Sequence, residues 1–513
     1  MITGILKSEP GWEILFRQIG IEWKSISSSD EFDPEELSLI VVNAPPTSLQ
    51  EKELLNYVEN GGAIFAVYGY ANRLLSSRFR KRHLTTIPPS SMPRFAQHSI
   101  LDVYATGFVN YPSSGTKPQL ISIHNSGKGI LLSFPFDVNA LILDHRSRRK
   151  NFYFERARMP NEITATVSKG TLRRIITEAL QFLHTERGIP FVHKWYFPED
   201  RPTIFTFRVD SDQGSIEEVD ELYNLCRDNE IKTMWFVDTK SHERWLSHFK
   251  MFKGQEIGIH CYEHLTYSAY ESNFQNLTKA ASLLNAEGIR PDGAAAPYGT
   301  WNTSVALIFE SLGMKFSSEF SLDYDDLPFF PYVEGRSSKV IQIPIHPICI
   351  GSMRRAGYST ADMIHYFKQF IDLKIEEREP LCLYHHPTHH HNDVIKEVFD
   401  YVHSKHIDNL SYSEYAEWWK TRDETSLNFE FTRNSETLSV NSTQAASSVR
   451  WRIFLPDGTE SISGSRGEVN VRTLPRHFPT PISPAPRDIT RSRRFDFRHL
   501  ILNTLDSWYK RTQ

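Results

Sequence analysis

His260 and His264 stand four residues apart in EIGIHCYEHLTY, residues 256–267. Side chains at i and i+4 lie on one face of a helical turn, so two neutral imidazoles there can converge on one metal ion. With 21 histidines in the chain, such a pair also arises by accident, and only its company can decide. Upstream, TIFTFRVDSD ends in Asp210 and Asp212, and residues two apart on a strand share a face. Two carboxylates at a strand end can hold a cation or trade protons. They can equally cap the following helix, SIEEVDELYNL, although a cap needs only one Asp. Downstream come GAAAPYGTWN, residues 293–302, and LCLYHHPTHHHND, with His385 and His386 before Pro387. Four apolar runs thus end in Asp-x-Asp, His-x3-His, Pro-Tyr-Gly and His-Pro, in that order.

The elements that must carry these motifs are legible as a pattern. Between 202 and about 421, strands read at TIFTFRV, KTMWFVD, EIGIH, GAAAP, VIQIPIH and PLCLYHH. Helices read at 215–229, 270–287, 303–313, 361–376 and 392–405. Strands separated by helices of that length predict parallel pairing, in an open sheet or a barrel, and such folds place chemistry at the strand ends. Within an α/β domain expected over 1–190, residues 1 to about 75 also alternate, 95–143 read as strand-rich, and KGTLRRIITEALQFLHTERG reads as a closing helix. LSLIVVNAP and AIFAVYGYA read as buried strands, and TSLQEKELLNYVENGG as a helix between a Thr cap and Gly-Gly. IPFVHKWYFPEDRP is a Pro-punctuated boundary. Short alternating runs predict a small β domain over 425–474, and residues 475–513 form a Pro-rich linker and a basic amphipathic tail.

Residues 202–421 resemble the polysaccharide deacetylases of the NodB-homology type, carbohydrate esterase family 4. The resemblance implies a distorted (β/α) barrel that removes acetyl groups from sugars with a divalent metal. It makes Asp210 the general base and His386 the general acid. Asp212, His260 and His264 become the metal ligands, for Zn²⁺ in the first place, with Co²⁺, Ni²⁺ or Mn²⁺ as alternatives. The hydrolysis also asks for an oxyanion donor, for which the Tyr298 N–H after Pro297 is the candidate, and Trp301 beside that motif is the candidate sugar platform. The pattern departs from the family in two places. The third motif's Arg is replaced by Ala295, and a catalytic carboxylate without its guanidinium ionises less readily. Arg208 has the parity to replace it from the same strand. Cys261 stands where the family has Ser or Thr, so the loop carrying His264 needs other support; Cys261 itself is expected to face away from the ligands. The N-terminal α/β segment looks like the glutamine-amidotransferase-like domains, but AVYGYANRL has no cysteine for an amidase, which leaves scaffold or binding use.

Other residues carry less. Asp323, Asp325 and Asp326 read as a loop at the mouth of the site or a solvated acidic loop. His346 is a candidate pocket residue. His389, His390 and His391 read as an adventitious metal run or a solvated helix start, and Trp418 and Trp419 as core. The 58 basic and 62 acidic residues, net −4, argue against a nucleic-acid binder and are compatible with a carbohydrate substrate. No apolar run is long enough to span a membrane. The start shows no secretory pattern, and four separated cysteines read as reduced thiols, so a cytoplasmic location is expected. The tail is expected to dock on the body or to touch a membrane surface or a protein. The activity expected is hydrolysis of an N-acetyl group on a sugar or polysaccharide precursor. The alternative is a degenerate deacetylase fold that binds carbohydrate or serves assembly.

Overall fold

The computed structural model describes residues 1–27, 32–75, 78–92, 99–111, 119–154, 157–442 and 448–479, with 501, 504 and 505. Nearly all of the Pro-rich linker and basic tail lies outside the described residues. The chain parts into two compact units that do not follow chain order.

The unit holding the four motifs comprises His145–Thr166 and Thr203–Ala416. Its seven strands are hydrogen-bonded in the order Ile341–Gln342, Phe316–Ser317, Gly293–Ala294, Glu256–Cys261, Thr233–Asp238, Phe205–Asp210, Leu381–His385. All six pairings are parallel. The sheet curls towards closure, because the His346 N–H donates to the Cys382 carbonyl at 3.0 Å. The parallel pairing is that expected from the alternation, and the curled half-barrel sheet fits the distorted barrel that the resemblance implies. Strand Phe205–Asp210 shows why it positions chemistry. Phe205, Phe207 and Val209 are at most 1% exposed and belong to the main apolar cluster. Burying each contributes about 1.5–3 kcal/mol. Alternation puts Thr206, Arg208 and Asp210 on the opposite face, so the apolar face fixes the register of the polar one. Ser215 and Glu218 form a capping box on the next helix, Ile216–Asp228, so neither Asp210 nor Asp212 caps it.

The other unit comprises Met1–Asp144, Val167–Pro202 and Glu417–Ser483. Its main sheet runs Trp23–Ser25, Ile2–Ile5, Leu37–Val42, Ala63–Val67, Gly129–Phe134, Ser122–Ser126. It is parallel apart from its last pair. The expected helix at 47–62 is Ser48–Glu59, capped by Thr47 with Gln50 closing the box.

These units differ from the sequence boundaries at two places. The hairpin of strands Ser147–Phe154 and Ala157–Ala165 was placed within 1–190, but it packs with the barrel. There the Ala165 N–H donates to the Phe320 carbonyl at 3.0 Å and Lys150 Nζ reaches Tyr324 Oη at 2.9 Å. The 425–474 strands do not stand alone either. Phe191–Lys194 from the supposed connector pairs antiparallel with Trp451–Phe454, and Val192 joins the same apolar cluster as Trp451 and Phe429. A strand contributed from about 260 residues upstream leaves no local signal. Trp418 and Trp419 are buried, at 9% and 2% exposure. No helix among the described residues is long and apolar enough to cross a membrane.

Two buried histidines set an acid limit on this fold. Burial pushes His184, in the N-terminal unit, and His242, in the barrel, each down to about 4. Both are neutral when folded, so the stability they preserve is intact above the unfolded value near 6.5 and is lost as pH falls towards 4. The cost is about 1.4 kcal/mol per pH unit for each. The thermal unfolding midpoint should therefore drop between pH 6.5 and pH 4, and a flat midpoint across that window would rule this out.

Candidate active site

Asp210 ends its strand and Asp212 sits two residues on, in a left-handed conformation at φ 42°. Ser211 between them fixes the turn. Its N–H donates to the Phe236 carbonyl at 2.9 Å, and its hydroxyl accepts from the Asp238 N–H at 3.0 Å and meets His242 Nε2 at 2.8 Å. From the third strand, His260 Nδ1 donates to the Ala295 carbonyl at 2.8 Å, which leaves Nε2 as the free lone pair. His264 lies in the loop that follows.

These three side chains converge. Asp212 Oδ1 stands 3.3 Å from His260 Nε2 and 3.2 Å from His264 Nε2, and the two imidazole nitrogens are 3.1 Å apart. Donors about 2.0–2.2 Å from a tetrahedral ion stand roughly 3.3–3.5 Å from one another. Two imidazoles and one carboxylate at this spacing therefore fit a divalent metal, with coordination positions left open. Without the metal, Asp212 is held well below the carboxylate range: burial opposes this, but His386, His260 and His264 outweigh it.

Arg208 pairs with Asp210 as its parity predicts. One guanidinium nitrogen donates to Asp210 Oδ2 at 2.9 Å, and another to the Ser318 carbonyl at 2.5 Å. The group is fully buried, with the rings of Phe236 and Tyr384 at 5.4 and 5.2 Å. Its second carboxylate partner oxygen, Asp210 Oδ1, is buried without a hydrogen bond among the described residues, an acceptor available to a ligand. His386 Nε2 lies 3.9 Å from Asp210 Oδ2 and 3.6 Å from Asp212 Oδ2. Burial, with His389 next, lowers His386 well below the ordinary imidazole value.

The Pro297–Tyr298–Gly299 turn has Tyr298 at φ 58° and Gly299 at φ 58°. A Cβ on Gly299 would stand 2.5 Å from the Phe320 ring, so glycine is required there for space as well as conformation. Tyr298 lines the cavity and packs edge-on to His264, ring centroids 4.9 Å apart. Trp301 does not join it: it is 8% exposed, packs against His145 and is not a lining residue. His346 also lies elsewhere, held between Asp325 and Tyr366. Cys261 is buried outside the ligand group.

The missing Ser or Thr support for the His264 loop is met by Asn276, a residue the sequence did not single out. Its Oδ1 accepts from the N–H groups of Tyr262 and Glu263, at 3.0 and 2.6 Å, and its Nδ2 donates to the carbonyls of Glu263 and Leu265, both at 3.0 Å. Asn276→Ala should cost about 10–100-fold in metal affinity, read by competition with a chromophoric chelator. Unchanged affinity would remove Asn276 from this role.

The cavity, about 300 Å³, has further walls that the sequence left unmarked, Glu162, Phe320, Cys349 and Tyr384, and His389 of the histidine run lines it too. Burial pushes the Cys349 thiol up, but the His389 hydrogen bond, the His389 charge and Arg355 bring it down to about 6. Beside the Pro-Tyr-Gly turn, burial pushes the Glu319 carboxyl up to about 7; its Oε1 accepts the Ala296 N–H at 3.1 Å.

Residues 200–317 match the polysaccharide deacetylase family, and the chain thus carries a NodB-homology deacetylase domain. Similar solved structures include a Mycobacterium smegmatis chain assigned to the polysaccharide deacetylases, 15% identical, covering 45% of this chain and 94% of that one, TM-score 0.39. The Puue allantoinase is 17% identical, covers 44% and 93%, and has a TM-score of 0.38. A family 4 carbohydrate esterase pseudoenzyme of Bacillus anthracis is 11% identical, covers 42% and 66%, TM-score 0.31. None of the curated proteins matches this chain.

Proposed function

We propose that this protein is a metal-dependent hydrolase that removes an acetyl group from an N-acetylated sugar or polysaccharide precursor. The observation that carries this reading is the mutual spacing of Asp212, His260 and His264, at 3.1–3.3 Å. These three would hold the ion, Zn²⁺ first among the alternatives. When bound, such an ion supplies Lewis acidity to the acetyl carbonyl and activates water at neutral pH.

The remaining work falls to side chains of this chain. Asp210, oriented by Arg208, takes the proton of the attacking water. His386 Nε2, 3.9 Å from Asp210 Oδ2, is placed to pass a proton to the departing sugar nitrogen. The proton it delivers is the one that Asp210 takes from the attacking water. The Tyr298 N–H, after Pro297, is assigned to the developing oxyanion. Asp210, with its unpartnered Oδ1, argues for a retained catalytic acceptor rather than a residual scaffold.

The test is acetate release from a panel of N-acetylhexosamine compounds, after chelation and after add-back of Zn²⁺, Co²⁺, Ni²⁺ or Mn²⁺. Release that disappears with chelator and returns with metal is expected. A metal-replete protein silent across the panel would overturn the reading.

A further inference from the structure

The cavity contains a second group of donors, two of which, Cys349 and His389, the reaction above does not use, beside His386, which it does. Cys349 Sγ and one ring nitrogen from each of His386 and His389 all lie within 4.8 Å of one another. Sγ is 4.0 Å from His389 Nδ1, and the two imidazole centroids are 4.1 Å apart. From this arrangement we propose a second metal site, formed by Cys349, His386 and His389, for a borderline or soft divalent ion of the Zn²⁺ class.

Three observations support it independently of the deacetylase reading. One thiolate and two imidazoles are donors suited to zinc, cobalt or copper and poorly suited to magnesium or calcium. His386 Nδ1 is buried with no hydrogen-bond partner among the described residues, and a buried nitrogen in that state calls for a ligand. Gly351 keeps the place of the third donor open: a Cβ there would stand 2.3–2.4 Å from His389 ring atoms.

The site is looser than the first. Sulfur and imidazole nitrogen on one tetrahedral ion stand about 3.6 Å apart, so the rings must close by a few tenths of an ångström or more. It is therefore the weaker site and fills second. Its occupancy bears on proton transfer, because a metal-bound imidazole nitrogen carries no proton. Filling this site removes one of the two nitrogens of His386 from exchange.

The test is equilibrium dialysis of the metal-stripped full-length protein against Zn²⁺ or Co²⁺ alone, with absorption spectra of the cobalt form. The wild type should take two equivalents, the second bringing a near-ultraviolet thiolate-to-cobalt band. Cys349→Ser and His389→Ala should each keep the first equivalent, which also reports a folded protein. Each should lose the band and weaken the second equivalent at least about 100-fold. His260→Ala should lose the tighter equivalent and retain the band. A wild type that binds one equivalent with no band overturns the proposal. So does a second equivalent that survives both the Cys349 and His389 variants, which would assign it to His390 and His391. A missing first equivalent or absent acetate release would sink the deacetylase reading and leave the band untouched.

Discussion

Replacing His260 with alanine should abolish both tight metal binding and acetate release. His260 is one of the three proposed donors, and its ring is fixed by the Ala295 carbonyl at 2.8 Å. Losing a ligand should weaken metal binding at least as much as losing a supporting contact does, about 100-fold. The Lewis acidity lost with the ion is worth several kcal/mol, and every 1.36 kcal/mol is tenfold in rate, so activity should fall by about three orders of magnitude. The fold should persist, since the cost to stability is about 1–3 kcal/mol for one orphaned carbonyl. Metal content by elemental analysis, activity and near-ultraviolet circular dichroism check the three parts. A variant that keeps its metal while losing activity would move His260 out of the coordination sphere.

The second large effect is expected at Arg208. Lysine cannot reach Asp210 Oδ2 and the Ser318 carbonyl together, as the two guanidinium nitrogens do at 2.9 and 2.5 Å, nor lie flat between Phe236 and Tyr384. Arg208→Lys should therefore lower kcat/KM about 100-fold, the scale of an ångström's misplacement of a reacting group. Arg208→Ala leaves a buried carboxylate unpaired and should cost about 3–5 kcal/mol of stability. Where it folds, kcat should fall with KM little changed, because the carboxylate has lost the partner that orients it. An unchanged kcat would dismiss Arg208 as the substitute for the absent motif Arg.

The strand ends were legible because each motif follows an apolar run whose parity and length name the strand. Arg208 was legible for the same reason: counting back two from Asp210 selects the same face. The support from Asn276 was not, because a side chain that braces a loop from within helix Tyr270–Ala286 resembles any other polar residue of that helix. Cys349 was missed, and His389 was read only as part of a histidine run, because the two, 40 apart in sequence, follow different strands and form no local pattern. Trp301 misled by proximity: three residues after Tyr298, past a left-handed turn, the chain has already left the cavity.

The hairpin at 147–165 has one further implication. It supplies Glu162 to the rim of the cleft, although its residues precede the deacetylase-matching stretch at 200–317. A fragment cut to that stretch would be missing an acidic wall of its own cleft. Under the activity proposed above, substrate selectivity can therefore drift through changes in this loop alone, with the residues assigned to protons and metal left as they are.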